Sequence, residues 1–453
     1  MKDLENDSIA RLIWGFALPS LIGTLTHTLY NVVDRMFIGQ GVSAFALSGL
    51  ALTFPFVSIM SAFSMLVSVG AATVASLFLG SKDRSLSLVL SNTLFLTFIA
   101  YSLVTVVCMV FLDPILTLFG GTSNTLPYAR EYLTIIIPGH IFTSLSYTLS
   151  NLVRSSGHPF RAMNILLIGF GLNILLDPLF IFVFRMGIRG AAWATVISMA
   201  ISTVWGLSFF WRQDGAGAVF TDHSGHRCLK SKIDLTLIGR MLSIGFSPFL
   251  LQFCNSLVLV VMNHSLLTYG GDLALAAFGI ITSFTAIVTT AITGFSHGLQ
   301  PIFGYNHGAG RHDRVLQVLR KGILYATAIS LAGWLTAMVF PIPIARCFVS
   351  DNPLLTGMAA NGLRCYSLML GLVGFHIVVT MFYQSIDRPD IAVLLTFSRQ
   401  VLFLIPFIIL LPVLLNQTTS YLNAIWLAQP ASTLCSALLA ALILRKTYII
   451  RYK

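Results

Sequence analysis

The chain is expected to be an all-α polytopic membrane protein, with twelve transmembrane helices in two pseudo-symmetric six-helix lobes. Three observations lead there. Of 453 residues, 56% are hydrophobic and only 9% charged, whereas soluble chains carry about a quarter charged residues. Apolar stretches long enough to cross a hydrocarbon core of roughly 30 Å follow one another along the whole sequence. The two halves also resemble each other at a shift of about 230 residues.

The first six spans are expected at about 11–38, 45–79, 86–112, 128–153, 162–184 and 190–212. The second six are expected at about 241–268, 274–305, 316–340, 362–386, 391–415 and 421–444. Lys2, Asp3, Glu5, Asp7 and Arg11 precede or open the first stretch without a small-residue cleavage pattern, so it reads as a span rather than a leader. Several stretches exceed the bilayer thickness and must tilt, bend or project into water.

The longest polar stretch, Gln213–Asp234, lies midway and marks a linker over 213–235 between an N-lobe, 1–212, and a C-lobe, 236–453. Gly80-Ser-Lys-Asp83-Arg84 echoes Gly310-Arg-His-Asp313-Arg314, Pro19 echoes Pro248, and Pro159 echoes Pro389. Their common offset points to a duplication. Six spans per half is an even number, so both halves enter from the same face, with a transport route between them.

Alternate loops separate by charge. One side carries twenty of the lysines and arginines, including Lys82, Arg154, Arg240, Arg311 and Arg388, and the other has Arg35, Arg130, Arg185, Arg189, Arg346 and Arg364. Both termini and the linker should therefore be cytoplasmic in a plasma, or inner, membrane. Arg399 lies inside the eleventh span and belongs to neither set. The net charge of +11 is spread between apolar segments rather than gathered in patches, which argues against a nucleic-acid partner. Six scattered cysteines, 108, 228, 254, 347, 365 and 435, imply neither a disulfide framework nor a zinc site.

Two aspartates, Asp34 and Asp177, fall deep inside apolar spans; the other fourteen acidic residues lie at helix ends or in loops. A carboxylate in hydrocarbon is costly unless it meets a proton, a cation or a donor, so such residues mark ion or substrate pathways. Asn173 is four residues before Asp177 and shares its helical face, and Pro178 removes a backbone donor directly after it. Oxygen donors of this kind suit a hard cation, and two carboxylates brought together would respond to protons. Arg35 is set about 100° round the helix from Asp34 and reads as an interfacial anchor.

His27, His140, His264, His297 and His376 lie in apolar spans, where helix–helix hydrogen bonding is the ordinary role. His27 stands out, two turns before Asp34 on the same face. The run Asp222-His223-Ser-Gly-His226-Arg-Cys228 reads as a polar loop rather than a metal site. Tyr30, Phe253 beside Gln252 and Asn255, and Phe382 beside Gln384 combine aromatic and polar groups as an amphipathic ligand cavity requires. Substrate is expected between the first, second, seventh, eighth and tenth helices, with Tyr30, His27, Gln252, Asn255 and Gln300 as contacts.

The run Gly298-Leu-Gln300-Pro301-Ile-Phe-Gly-Tyr305-Asn306-His-Gly308-Ala-Gly310 resembles the eighth-helix signature of the multidrug and toxic compound extrusion (MATE) family. Tyr30-Asn31-Val-Val-Asp34-Arg-Met-Phe-Ile-Gly39, Arg154-Ser-Ser-Gly157-His-Pro159 and Gly187-Ile-Arg-Gly190-Ala-Ala-Trp-Ala-Thr195 agree in order, so the resemblance covers essentially the whole chain. It implies a V-shaped pair of lobes exporting amphipathic or cationic compounds against inward proton or sodium flow, with no cofactor. It also implies an N-lobe site for H+ or Na+ at Asp34, Asn173, Asp177 and Thr195, and a first helix that switches between straight and bent forms at Pro19. Another branch of the family carries acidic residues on the seventh and tenth helices, but Leu251–Leu267 and Leu363–Ile386 contain none here. Coupling should therefore reside in the N-lobe.

The reading that follows is a secondary active antiporter, favoured as a monomer because one chain holds both lobes. An alternative is a flippase for a lipid-linked precursor, which would call for a more cationic central cavity. A channel lacks a filter-like motif here, and an enzyme lacks a nucleophile–base or metal-ligand constellation. The sequence leaves proton against sodium open, as it does substrate identity.

Overall fold

The computed structural model describes residues 4–5, 7–41, 44–83, 86–118, 125–211, 233–348, 352–415 and 421–449. The loop run 222–228, most of the 213–235 linker and Cys228 lie outside these, as does the side chain of Arg35. Every regular element among the described residues is helical. Among the described residues, nine helices are each long and apolar enough to cross a membrane. One of them, Leu235–Gly308, contains two spans joined at Gly271, whose φ of 65° and ψ of −164° break the helical path. A bent pair, Pro353–Tyr366 and Leu370–Ser385, supplies the tenth span. Leu126–Ser155 completes the twelve, and it is less apolar because it carries Arg130, Glu131, His140 and Arg154.

The remaining spans are Ile9–Gly41, Ala44–Ser81, Leu86–Val110, Pro159–Pro178 continued by a π-helical turn Leu179–Val183, and Ile188–Trp211 in the first half. His312–Val339, Pro389–Leu414 and Tyr421–Leu444 complete the second. The expected spans thus recur with shifted ends. Two features depart from expectation. The seventh and eighth spans are two helices, as expected, but they meet directly at Gly271 with no loop between them. The tenth starts at Pro353, nine residues early, and bends by 45° between its parts. Its second part holds Gly374 where a Cβ would overlap the Ala326 carbonyl, so the bend lets the chain press against the ninth span.

Each helix turns large apolar side chains outward, among them Phe98, Leu103, Val204, Leu335 and Leu442, as lipid contact requires. Inside, Trp426, Tyr101, Phe56, Phe170 and Phe303 are fully buried. Phe382 is also fully buried, edge-on to Phe303 at 5.4 Å, and so belongs to the C-lobe core rather than to a cavity wall.

The halves repeat in backbone detail. Pro159 and Pro389 each open a helix, and the residues before them, His158 and Arg388, share dihedrals of −119°, 62° and −121°, 64°. The preceding Gly157 and Asp387 are both left-handed, at φ 90° and 61°. The His158 and Arg388 amides reach back five residues, to the Val153 and Tyr383 carbonyls at 3.2 and 3.0 Å. Giving Gly157 a side chain strains this turn: Gly157→Ala should lower stability by about 1 kcal/mol, read as a reduced Tm in detergent.

The first and second spans pack against the seventh and eighth spans. The approach is backbone to backbone. A Cβ on Gly70 would overlap the Met241 carbonyl, one on Gly245 the Leu66 carbonyl, one on Gly80 the Tyr305 carbonyl and one on Gly308 the Leu77 carbonyl. Beyond this seam the N-terminal segment is tied down: Arg311 pairs with Glu5 and donates to its carbonyl at 2.8 Å, and Arg314 donates to the Asp7 carbonyl at 2.9 Å. Arg240 bonds Asp387 at 2.6 Å while its guanidinium lies over the Phe78 ring. Towards the other end the seventh span is largely exposed from Leu251 to Val260.

Candidate functional site in the N-lobe

Four helices converge on one small cavity. The first span contributes Tyr30 and Asp34, one turn apart on a shared face, and the helix runs unbroken through Pro19. The fifth and sixth are folded tightly together by the turn at Arg185 and Gly187, both left-handed. Gly190 adds to this closeness, since a Cβ there would press on the Phe180 backbone. The hairpin places Asn173 and Asp177 opposite Thr195. The helix changes to π pairing directly after Pro178, which lacks the amide that would continue the α ladder.

Asn173 donates through Nδ2 to Asp177 Oδ1 at 3.1 Å and to Thr195 Oγ1 at 3.2 Å, and the Thr195 hydroxyl donates to the Ala191 carbonyl at 3.1 Å. The Asp177 carboxyl is within hydrogen-bonding reach of Asp34. Asp34 is 7% exposed, and Asn173 and Asp177 are fully enclosed. Asn173 Oδ1 and Asp177 Oδ2 are buried without a protein donor. Two carboxyl groups and an amide oxygen thus meet with more acceptors than donors, an arrangement that a proton or a cation completes.

The cavity, about 110 Å³, is lined by Asp34 and Thr195 together with Tyr30, Thr53, Tyr132 and His140. It is much smaller than the roughly 300–1,000 Å³ of a site for a drug-sized ligand, and suits a cation or a few waters. His140 was visible in the sequence only as one of several intramembrane histidines; its ring stacks on Tyr101 at 5.7 Å and 9°. Tyr101 in turn bonds Ser64 and donates to the Met60 carbonyl at 2.6 Å, so the cavity wall on this side is fixed by the second and third spans. Thr53 and Tyr132 gave no sequence signal, because nothing in a lone hydroxyl tells which neighbour it will face.

The expected substrate contacts divide. His27 and Tyr30 sit together in an aromatic cluster: Tyr30 stacks on Phe170 at 4.7 Å and 10°, and the His27 ring lies 5.3 Å from Phe170 and 5.6 Å from Tyr147. Gln252 is half-buried on the seventh span, and Asn255 accepts from Gln400 at 2.6 Å. Gln300 is buried at the seam between halves, donating to the Val69 carbonyl at 3.2 Å and to Thr73 Oγ1 at 2.7 Å. Here it ties the second span to the eighth.

A twelve-helix fold in two related halves, with buried acids in one of them, matches a membrane transporter. The MatE family model matches residues 19–179 and 246–410, and the chain belongs to that family. Among curated relatives, it is 27% identical over 446 residues to the multidrug export protein MepA of Staphylococcus haemolyticus (strain JCSC1435), covering 97% of this chain and 95% of the relative. It is also 27% identical over 457 residues to MepA of Staphylococcus aureus (strain MRSA252), covering 100% and 97%. Among solved structures, an outward-facing multidrug resistance MATE family transporter superposes with a TM-score of 0.89 at 23% identity, covering 98% of this chain and 96% of that one. A MATE protein in its bent conformation gives 0.90 at 22%, covering 98% and 96%. The MATE fold is therefore that of this chain.

Proposed function

We propose that this chain is a multidrug exporter, extruding amphipathic or cationic compounds in exchange for H+ or Na+ bound at Asp34, Asn173, Asp177 and Thr195. The observation that supports this reading is the meeting of Asp34 with Asn173 and Asp177, whose buried Oδ1 and Oδ2, respectively, find no donor among the described residues, next to an ion-sized cavity lined by Asp34 and Thr195. The coupling ion is cargo, and these oxygens are its ligands; a proton shared between the carboxylates would serve the same end. Occupancy alters the first helix, with Pro19 as its flexible point, and thereby the relative stability of two conformations.

The seam favours a form closed at the terminal face and open opposite, and the likeness to an outward-facing relative supports that reading. With basic loops inside, both termini and the 213–235 linker are cytoplasmic in the plasma membrane, between lobes 1–212 and 236–453. The working unit is one chain. Substrate lies between the lobes, against His27, Tyr30, Gln252 and Asn255, with Gln300 exposed to it only when the seam opens.

Efflux from proteoliposomes with independently imposed sodium and pH gradients tests this. One gradient alone should drive uphill export of a cationic dye, and export driven by neither sinks the proposal.

A further inference from the structure

The C-lobe carries an intramembrane cation that the coupling site does not use. Arg399 lies on the π-helical stretch Ser398–Leu404 of the eleventh span, where i→i+5 pairing inserts an extra residue and re-aims the side chains. Its backbone carbonyl is fixed by the Ser432 hydroxyl at 2.6 Å. The side chain is half-buried and its Nε is wholly enclosed, yet it makes no hydrogen bond or ion pair with any described residue. The ionisable groups near enough to interact with it electrostatically are Tyr366 and His376, both on the tenth span. No carboxylate is among them.

A guanidinium in hydrocarbon without a counter-ion is costly, and natural chains keep such groups only where something completes them. Arg399 Nε, His376 Nδ1 and Trp426 Nε1 are buried nitrogens without a partner among the described residues. Tyr366 is itself set among aromatics: it meets Phe278 edge-on at 6.1 Å, and Phe278 stacks on Trp426 at 6.1 Å. A fixed fork of N–H donors beside aromatic faces fits the carboxylate or sulfonate of an organic amphiphile better than a bare halide.

We propose that Arg399, with His376 and Tyr366, forms an anion-recognition site in the C-lobe that takes the anionic group of an amphipathic organic substrate. The chain would thereby accept zwitterionic and anionic compounds as well as cations. This deepens the exporter reading and rests on it for the identity of the ligand as cargo, but equilibrium binding needs no gradient, so the two fail separately.

The test uses purified full-length protein in nanodiscs and three probes sharing one ring system: a naphthyl sulfonate, its neutral sulfonamide and a naphthyl trimethylammonium. Wild type should bind the sulfonate more tightly than the sulfonamide. Arg399→Gln should weaken the sulfonate about 10- to 100-fold, as expected for loss of charge-assisted hydrogen bonds, and leave the ammonium probe unchanged. Arg399→Lys should recover part of the loss. Equal affinity of wild type for sulfonate and sulfonamide overturns the site, as does a parallel loss of all three probes in both Arg399 variants. Displacement of the sulfonate by chloride at equal concentration assigns the site to an inorganic halide and overturns the organic-anion reading.

Discussion

Asp34→Asn and Asp177→Asn should each reduce gradient-driven efflux by about 100-fold or more while leaving membrane insertion largely intact. The size follows from what coupling demands. Swinging a two-state equilibrium from 1:99 to 99:1 takes about 10⁴-fold unequal binding of the ion. An asparagine keeps the shape of the site but removes the charge that distinguishes occupied from empty. At position 177 the new amide must also face the Asn173 Nδ2 donor, which now meets a carboxylate oxygen at 3.1 Å. Substrate binding should survive, because the cavity beside Asp34 is too small for a drug-sized molecule. The measurement is uphill dye export set beside equilibrium dye affinity. If either variant pumps at the wild-type rate, the N-lobe mechanism is wrong.

Side chains at the glycine seam should act in the opposite sense, through conformation rather than ion binding. Gly70 and Gly245 let the second and seventh spans touch through their backbones, and a Cβ on either would overlap a carbonyl of the partner. Gly70→Ala with Gly245→Ala should penalise the closed face by about 1–3 kcal/mol at each position, enough to shift the balance more than tenfold toward the form open at the termini. Spin labels at Ser81 and Arg320, one in each half, should report a longer distance, and turnover should fall with it. A wild-type distance distribution in the double variant would show that the seam does not set the equilibrium.

Much of this was legible in the residues. Twelve spans follow from length and hydropathy because lipid leaves the backbone no alternative to helix. The repeat was visible at Pro159 and Pro389, where a shared proline sits on the same cap geometry although the residues before it differ. Asn173 and Asp177 could be paired by helical period alone, and their side chains do bond. Thr195 entered only through family likeness, and its bond to Asn173 spans 22 positions that no periodicity connects. Gln300 shows the limit. A polar tip on an apolar helix looks the same whether it faces a ligand or a carbonyl 231 residues away. The Gly271 kink escaped notice for a related reason: glycine permits a left-handed residue without requiring one. Arg399 was conspicuous but had no sequence neighbour to interpret it, since its companions come from other spans.

The strap formed by Arg311 and Arg314 over Glu5 and Asp7 has a physiological corollary. The Arg311 and Glu5 side chains are each more than a third exposed, so they are open to mobile ions, whose screening length is about 8–10 Å, and to the rival phosphates of acidic lipids. A helix-rich interior gives such bilayer chemistry little purchase, but a latch made of guanidinium and carboxylate is directly exposed to it. Rising ionic strength or a leaflet rich in anionic lipid would loosen the leading segment and lower the barrier to opening on that side. The pace of the cycle would then be set partly by the composition of the membrane in which the protein resides.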